Sequence, residues 1–116
     1  MITTSLAANA VFICPVTLGI SAKIRKISSS AAAWIRLYGN ADQRASDASR
    51  DINTTAPSQI GLAFGVNTSS FLSQTLDNAW FENFDTAPGT TGYLSIKNLS
   101  GSTASISVII EFVRFA

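Results

Sequence analysis

Residues 92–116, GYLSIKNLSGSTASISVIIEFVRFA, decide the fold class of this chain. Apolar and polar side chains alternate from Tyr93 to Lys97, and residues 98–102 then supply turn-forming side chains. After the turn, apolar residues occupy every second position from Ala104 to Phe112. Alternation on both sides of a Gly-containing turn is typical of an antiparallel hairpin with one buried face. The stretch therefore predicts an all-β fold that ends in a hairpin.

The last strand of this stretch is apolar on both faces beyond Val108, because Ile109, Val113 and Phe115 occupy its second face. Such a strand needs a second layer, which either this chain or another copy supplies. A closed ring of copies would bury these side chains against neighbouring subunits. We therefore interpret Ile109, Val113 and Phe115 as the interface of a homo-oligomer and expect a trimer.

Short strands and turns fill the rest of the 116 residues. Alternation predicts strands within residues 11–13, 17–28, 33–38, 60–66 and 71–76, with Pro15 ending the first and a bulge near Lys26. Residues 41–51, rich in Ala, Ser and Asp, predict a short helical turn, and residues 1–10 either a mobile docking arm or an edge extension. Six to eight short strands at this spacing indicate a single small antiparallel β-sandwich of the jelly-roll type.

The chain carries few charges: charged residues make up 13% of it, about half the usual ~25%, and the net charge is +1. A surface with so few charges is weakly protected against association, so we expect partners to cover much of it. The one basic cluster, residues 23–26, is too small for the basic face that nucleic acid requires. No stretch approaches the roughly 18 apolar residues of a membrane helix. We expect neither a nucleic-acid partner nor a membrane partner.

The sequence contains no histidine and one cysteine, Cys14. These counts remove the usual serine and cysteine triads, imidazole zinc sites and an intrachain disulfide. Glu82 and Asp85 form the nearest pair for carboxylate catalysis, but acids in a short loop are more often solvated. We therefore expect no enzymatic activity, no metal site and no cofactor.

Two aromatic groups are candidates for contact with a partner or a glycan. Trp34, Arg36 and Tyr38 share one face of a predicted strand and suit stacking on a sugar or a protein hot spot. Alternatively, Arg36 pairs with an acid such as Asp47 while the two aromatic rings pack under residues 41–51. The second group, predicted to lie in a loop, consists of Trp80, Phe81 and Phe84, and it either plugs one end of the sandwich or meets a partner.

A polar network is expected within residues 41–51, where Arg44, Asp47 and Arg50 recur at three-residue spacing. On a helix this spacing places the three side chains on one side. On a loop the same residues brace one another through hydrogen bonds between arginine and carboxylate groups.

The run AWIRLY at residues 33–38, followed by QRASDASR at 43–50, resembles a module that recurs in structural proteins of tailed bacteriophages. In that module an R-hydrophobic-Y strand leads to an R-x-x-D-x-x-R segment, and IKNLSGSTA at residues 96–104, followed by an alternating strand, resembles its closing hairpin. The resemblance implies a β-sandwich virion protein, usually multimeric, that decorates the capsid as a cement protein or belongs to the tail, fibre or baseplate. Its partners would be other virion proteins, such as the major capsid or tail proteins. The alternative is a glycan-binding module for attachment to the host surface.

Overall fold

The computed structural model describes residues 2–54, 62–69 and 73–115. These ranges contain eight strands and one short helix: β1 (Ile2–Leu6), β2 (Val11–Thr17), β3 (Ser21–Ser29), β4 (Ala33–Tyr38), α1 (Ala41–Ser46), β5 (Leu62–Asn67), β6 (Ser73–Glu82), β7 (Thr91–Asn98) and β8 (Ala104–Arg114). The predicted all-β class and the short helical turn are both confirmed. Residues 60, 61, 71 and 72 of the predicted strands lie outside the described residues.

The strands form two antiparallel four-stranded sheets. The β8 sheet has the order β1-β8-β3-β6, and the β7 sheet has the order β2-β7-β4-β5. Pairing is nested, because β1 pairs with β8, β2 with β7, β3 with β6 and β4 with β5. This is the strand order of an eight-stranded jelly roll.

The core lies between the two sheets, where alternate residues of every long strand point inward. The innermost side chains are fully buried aliphatic residues from both sheets: Ile24, Ile27, Ile106 and Val108 from the β8 sheet, and Ile35, Leu37, Leu94 and Ile96 from the β7 sheet. A dry aliphatic layer of this kind supplies most of the favourable free energy of folding.

The predicted terminal hairpin is wrong, because β7 and β8 belong to different sheets. Residues 99–103 carry the chain from one sheet to the other. The buried Asn98 holds this corner: its Nδ2 donates to the carbonyls of Leu6 at 2.9 Å, Ala7 at 3.2 Å and Ser102 at 2.8 Å. Alternation reports which face of a strand is buried, but it does not identify the strand beside it.

Several strand boundaries differ from the sequence prediction, and β3 begins at Ser21 and not at Thr17. β2 continues through Pro15, since an edge strand tolerates a residue without an N–H on its outer side. β6 extends to Glu82 and so includes residues that were predicted to form a loop. Residues 2–6 form β1 and pair with β8 instead of forming a free arm, so the edge extension is the alternative that the structure shows. The bulge predicted near Lys26 is present, between Ile24 and Lys26.

Candidate functional site

The face that carries Trp34, Arg36 and Tyr38 is the outer face of the β7 sheet, and the segment after β4 covers it. Asn40 begins α1, since its side-chain oxygen accepts hydrogen bonds from the backbone N–H groups of Asp42 at 2.7 Å and Gln43 at 3.3 Å. The helix ends at Ser46, and Asp47 caps it with a side chain that is only 2% exposed. The short helix therefore delivers one carboxylate onto the sheet face.

Asp47 joins side chains from the strand and from its own segment. Its Oδ1 accepts from Arg50 Nε at 2.7 Å, and its Oδ2 accepts from Arg50 Nη2 at 3.0 Å and from the Tyr38 hydroxyl. Arg36 Nη1 lies 3.6 Å from Oδ2 and donates to the Asp47 carbonyl at 3.1 Å. Bidentate pairing between arginine and a carboxylate gives the cluster a fixed geometry.

Arg36 is a buried cation held by groups on several sides. Its Nη2 donates to Ser95 Oγ at 3.3 Å, and its guanidinium carbon lies 3.8 Å from the centre of the Trp34 ring. The guanidinium group of Arg50 is also near that ring, at 5.1 Å. Stacking on an aromatic face and pairing with a carboxylate together offset the cost of desolvating the charge.

The side chains of Trp34, Arg36 and Tyr38 are all buried, so they are not available to contact a glycan or a partner. The structure shows the second alternative, in which Arg36 pairs with Asp47 and the aromatic rings pack beneath the segment. The cluster therefore clamps the segment that follows β4 onto the β7 sheet.

Protonation follows from the same contacts. Burial raises the pKa of Tyr38 to about 12, and its hydrogen bond to Asp47 adds to the shift. Burial opposes the ionised form of Asp47, but hydrogen bonds from Arg50 and Tyr38 and the nearby arginine charges outweigh it and lower the pKa of this carboxyl. Asp47 is therefore ionised and Tyr38 neutral at neutral pH.

Arg44 lies apart from the cluster, so the predicted three-residue network is reduced to Asp47 and Arg50. Its Nη1 donates to the carbonyls of Cys14 and Leu94, both at 3.3 Å, and its guanidinium group lies 5.4 Å from the centre of the Tyr93 ring. Arg44 instead fastens α1 to β2 and β7.

The second aromatic group is divided between a strand and a loop. Trp80 and Phe81 lie in β6 and point to opposite faces, so Phe81 is buried in the core and Trp80 is 57% exposed. Phe81 cannot contact a partner or a glycan. Phe84 is exposed in the loop after β6. The adjacent aromatic residues Trp80 and Phe81, a residue type enriched in strands, were the signal that sequence reasoning missed.

The loop after β6 is held by polar side chains. Asp85 accepts hydrogen bonds from Asn83 Nδ2 at 3.1 Å and from the Tyr93 hydroxyl at 2.7 Å. The hydrogen bond to Asp85 raises the pKa of Tyr93, with burial as a second cause. Glu82 ends β6 with an exposed side chain, and no hydrogen bond joins it to Asp85. Asp85 acts as an anchor of the loop.

Four apolar side chains on the outer face of the β8 sheet form what we call the β8 patch: Trp80, Ile109, Val113 and Phe115. All four are exposed, by 57%, 45%, 39% and 59% respectively. The rings of Trp80 and Phe115 are 5.5 Å apart, and Lys23 lies opposite both Trp80 and Val113 in the pairing of the strands. The second layer expected over β8 is therefore not supplied by the described residues of this chain.

Two concave regions border the same half of β8. A groove of about 650 Å³ is lined by Arg25, Lys26, Thr75 and Glu111, with Val113 of the patch at its side. A smaller cleft of about 210 Å³ opens between the sheets and is lined mainly by apolar residues: Ile2, Val16, Leu18, Val108, Ile110 and Phe112. Phe112 faces this cleft and is still 38% exposed, which no sequence pattern indicated.

No set of three His, Cys, Asp or Glu side chains within residues 2–54, 62–69 and 73–115 is placed to hold a metal ion. Over the same residues, no helix has the length and apolar character needed to cross a membrane. The features that the structure brings together are the buried clamp around Asp47 and the exposed β8 patch with its neighbouring groove and cleft. Comparisons of the chain with protein-family models, with curated proteins and with solved structures find no match.

Proposed function

We propose that the protein is a non-enzymatic structural subunit that assembles with further copies of itself on the capsid or tail of a bacteriophage particle, as a decoration or tail-associated protein. The observation that carries the proposal is the β8 patch. It places a tryptophan, a phenylalanine and two aliphatic side chains in water on one sheet face. Clustered exposure of this kind on a small protein marks an interaction surface.

The composition of the patch suits the centre of a protein interface. Trp80 and Phe115 are large rigid side chains in contact with each other, and aromatic anchors of this type carry most of the binding free energy in known interfaces. A stable interface buries roughly 800 Å² on each partner, so the patch would be the centre of a larger contact. Each Å² of apolar surface removed from water contributes about 25 cal/mol.

Two further observations support placement on a virion. The jelly-roll strand order occurs widely in viral capsid proteins and also in lectins. One connected cluster contains four of the residues on which the resemblance to phage modules rests: Arg36, Tyr38, Asp47 and Arg50. In a structural subunit such a clamp would keep the surface segment after β4 in one conformation.

Val113→Asp tests the assembly. Light scattering after gel filtration should give the wild type a multiple of the 12.3 kDa chain mass, whereas Val113→Asp should run as a monomer, because a buried unpaired carboxylate opposes association. Ser105→Asp, an exposed position of the same strand, is the matched control and should keep the wild-type mass. A monomeric wild type, or an unchanged mass for Val113→Asp, would contradict the proposal. The expected trimer stays a prediction that the same measurement decides.

A second candidate function, glycan binding at a host surface, is favoured by the position of Trp80. The exposed indole ring lies 5.7 Å from Lys23 Nζ, on the sheet face that also carries the groove of Arg25, Lys26, Thr75 and Glu111. An aromatic platform beside polar hydrogen-bonding groups suits a sugar ring. Glycan-array binding that is lost in Trp80→Ala would support this function, and an array without binding would remove it.

A further inference from the structure

β8 is more than twice as long as the strand that flanks it on one side. β8 spans Ala104–Arg114, but β1 pairs only with its first part, from Ala104 to Val108. β3 pairs with the second part on the opposite side, as far as Arg114. Within the described part of the chain, residues 109–114 therefore form an open sheet edge on the side away from β3.

The direction of the backbone groups along this edge follows from two hydrogen bonds. The N–H of Phe115 donates to the Ser21 carbonyl at 3.0 Å, and the Ser107 carbonyl accepts from the N–H of Ser30 at 2.9 Å. Odd-numbered residues of β8 therefore direct their backbone groups toward β3. In an antiparallel strand the alternate residues face the other way, so Ile110, Phe112 and Arg114 direct three N–H groups and three carbonyls to the open edge.

The open edge also leaves the interior uncovered. Phe112 and Ile110 point between the sheets into the 210 Å³ cleft, beyond the pairing of Ile2, the first residue of β1, with Val108. A strand added at this edge would need apolar side chains on its inner face to fill the cleft and on its outer face to extend the β8 patch. Residues 109–115 of β8 supply such side chains, namely Ile110 and Phe112 on the inner face and Ile109, Val113 and Phe115 on the outer face, and each face also carries one charged residue, Arg114 or Glu111. A second copy of the same segment can therefore serve as the added strand.

We propose that two copies of the chain join by antiparallel pairing of residues 109–114 of β8 about a two-fold axis at Phe112. Phe112 then lies opposite the partner's Phe112, and Ile110 opposite the partner's Arg114. Three residue pairs exchange two hydrogen bonds each, so all six free backbone groups of each copy are used. No other register within residues 109–114 pairs all three residues. The inference rests on the proposed self-assembly and adds a second contact to it, since Trp80 lies on β6 at the other edge of the sheet and the β8 patch stays on the outer face of the paired strands.

The side chains on the outer face agree with this register. Ile109 lies opposite the partner's Phe115, and Glu111 opposite the partner's Val113, so no two like charges are directly opposed. A two-fold axis makes the same segment serve as both surfaces of the interface, as in most closed dimers. The only other charge of the segment, Arg114, lies on the inner face.

β2 is a weaker candidate for such pairing, although it is an edge strand with exposed Val11 and Ile13. Pro15 interrupts it and cannot donate to an added strand. Natural edge strands are protected from pairing by prolines of this kind. Residues 109–114 contain no proline, and their two charged residues have opposite signs.

A disulfide at the axis tests the register. In a Cys14→Ser background, which removes the free thiol, Phe112→Cys should form a covalent dimer under mild oxidation. Paired residues in an antiparallel sheet lie within the range that a disulfide spans. Arg114→Cys is the matched control and should not cross-link, because the two introduced thiols would be four residues, about 13 Å, apart along the strands. Equal cross-linking of both variants would overturn the register.

Amide hydrogen exchange tests the same pairing in the unmodified protein. The amide protons of Ile110, Phe112 and Arg114 should exchange slowly at high concentration and at least tenfold faster on dilution to the monomer. Those of Ile109, Glu111 and Val113, which face β3, should stay protected at both concentrations. Fast exchange of the even-numbered amides in an assembled sample, or a mass of three copies, would overturn edge pairing and leave self-assembly standing. A monomeric protein at every concentration would overturn both.

Discussion

Asp47 connects a strand to the segment that follows it. Its carboxylate is buried, and it binds Tyr38 and Arg36 of β4 together with Arg50 of its own segment. A buried carboxylate is tolerated only because cations and hydroxyl groups replace its lost water. One side chain therefore keeps a loop segment in a fixed position on a sheet.

Asp47→Asn should lower the free energy of unfolding by about 3 kcal/mol, because it leaves the buried Arg36 guanidinium without its counter-charge. Urea denaturation followed by circular dichroism measures the change. Asp42→Asn is the matched control, since Asp42 is exposed in the first turn of α1 and its loss should cost well under 1 kcal/mol. Equal effects of the two variants would contradict the clamp.

Stability should decrease at both ends of the pH scale. The pKa of Tyr38 is raised from 10.0 to about 12, so the folded state binds this proton more tightly than the unfolded state does. The free energy of unfolding should therefore fall by roughly 2–3 kcal/mol as pH rises from 10 to 12. The pKa of Asp47 is lowered, so its contribution is lost as pH falls from 3.8 through the folded value. Denaturation midpoints across pH measure both effects. Tyr38→Phe should remove most of the loss of stability at alkaline pH. If this variant lost as much stability as the wild type, the loss would come from other groups.

The corner between β7 and β8 shows what a strand pattern contains and what it lacks. The alternation of residues 93–97 and 104–112 correctly indicates two strands that each bury one face. The polar positions between them were interpreted as a hairpin turn, but Asn98 is buried and binds three carbonyls. The partner of each strand depends on distant segments, which no local pattern reports.

Asn98→Ala should destabilise the protein by about 2–3 kcal/mol, because it removes the Nδ2 partner of the Leu6, Ala7 and Ser102 carbonyls in a buried place. Thermal unfolding measures the loss. Asn53→Ala, in an exposed position of the loop after α1, serves as the control and should change the melting temperature little. A small effect of Asn98→Ala would mean that water replaces the amide at the corner.

β4 and β6 show which properties of a strand its own sequence predicts and which depend on the segments packed against it. β4 has the predicted bounds, Ala33–Tyr38, because its alternation is uninterrupted and Gly39 follows it. All six of its side chains are buried, since the polar Arg36 finds partners in a segment eleven residues away. β6 was predicted too short because Glu82, Asp85, Pro88 and Gly89 suggested a loop around the aromatic residues, whereas pairing with β3 holds the first part of that segment as a strand.

At the scale of the whole molecule, the nested pairing places the first described strand beside the last. Among the described strands, only β4 and β5 pair with a neighbour in sequence, and even they are separated by the segment that contains α1. The fold class follows from composition and alternation, and the β8 patch follows from the two apolar faces of one strand. The cleft and the open edge follow from the unequal lengths of β1 and β8, which appear only after the strands are paired.

Refolding should be slow for a chain of this size, on the order of milliseconds to seconds, because pairing of distant strands requires closure of long loops. Stopped-flow circular dichroism after dilution from urea measures the rate. The rate of the first phase should be independent of protein concentration, which separates folding from assembly. Refolding within microseconds would contradict the nested topology.

Trp34 and Trp80 differ enough in exposure to act as two separate optical reporters. Trp34 lies beneath the segment after β4 with two guanidinium groups near its ring, whereas the Trp80 indole stands in water on the β8 patch. A soluble quencher should therefore act mainly on Trp80 emission. Association through the β8 patch would shield that emission without altering Trp34, so the molecule carries its own signal for the state of its surface.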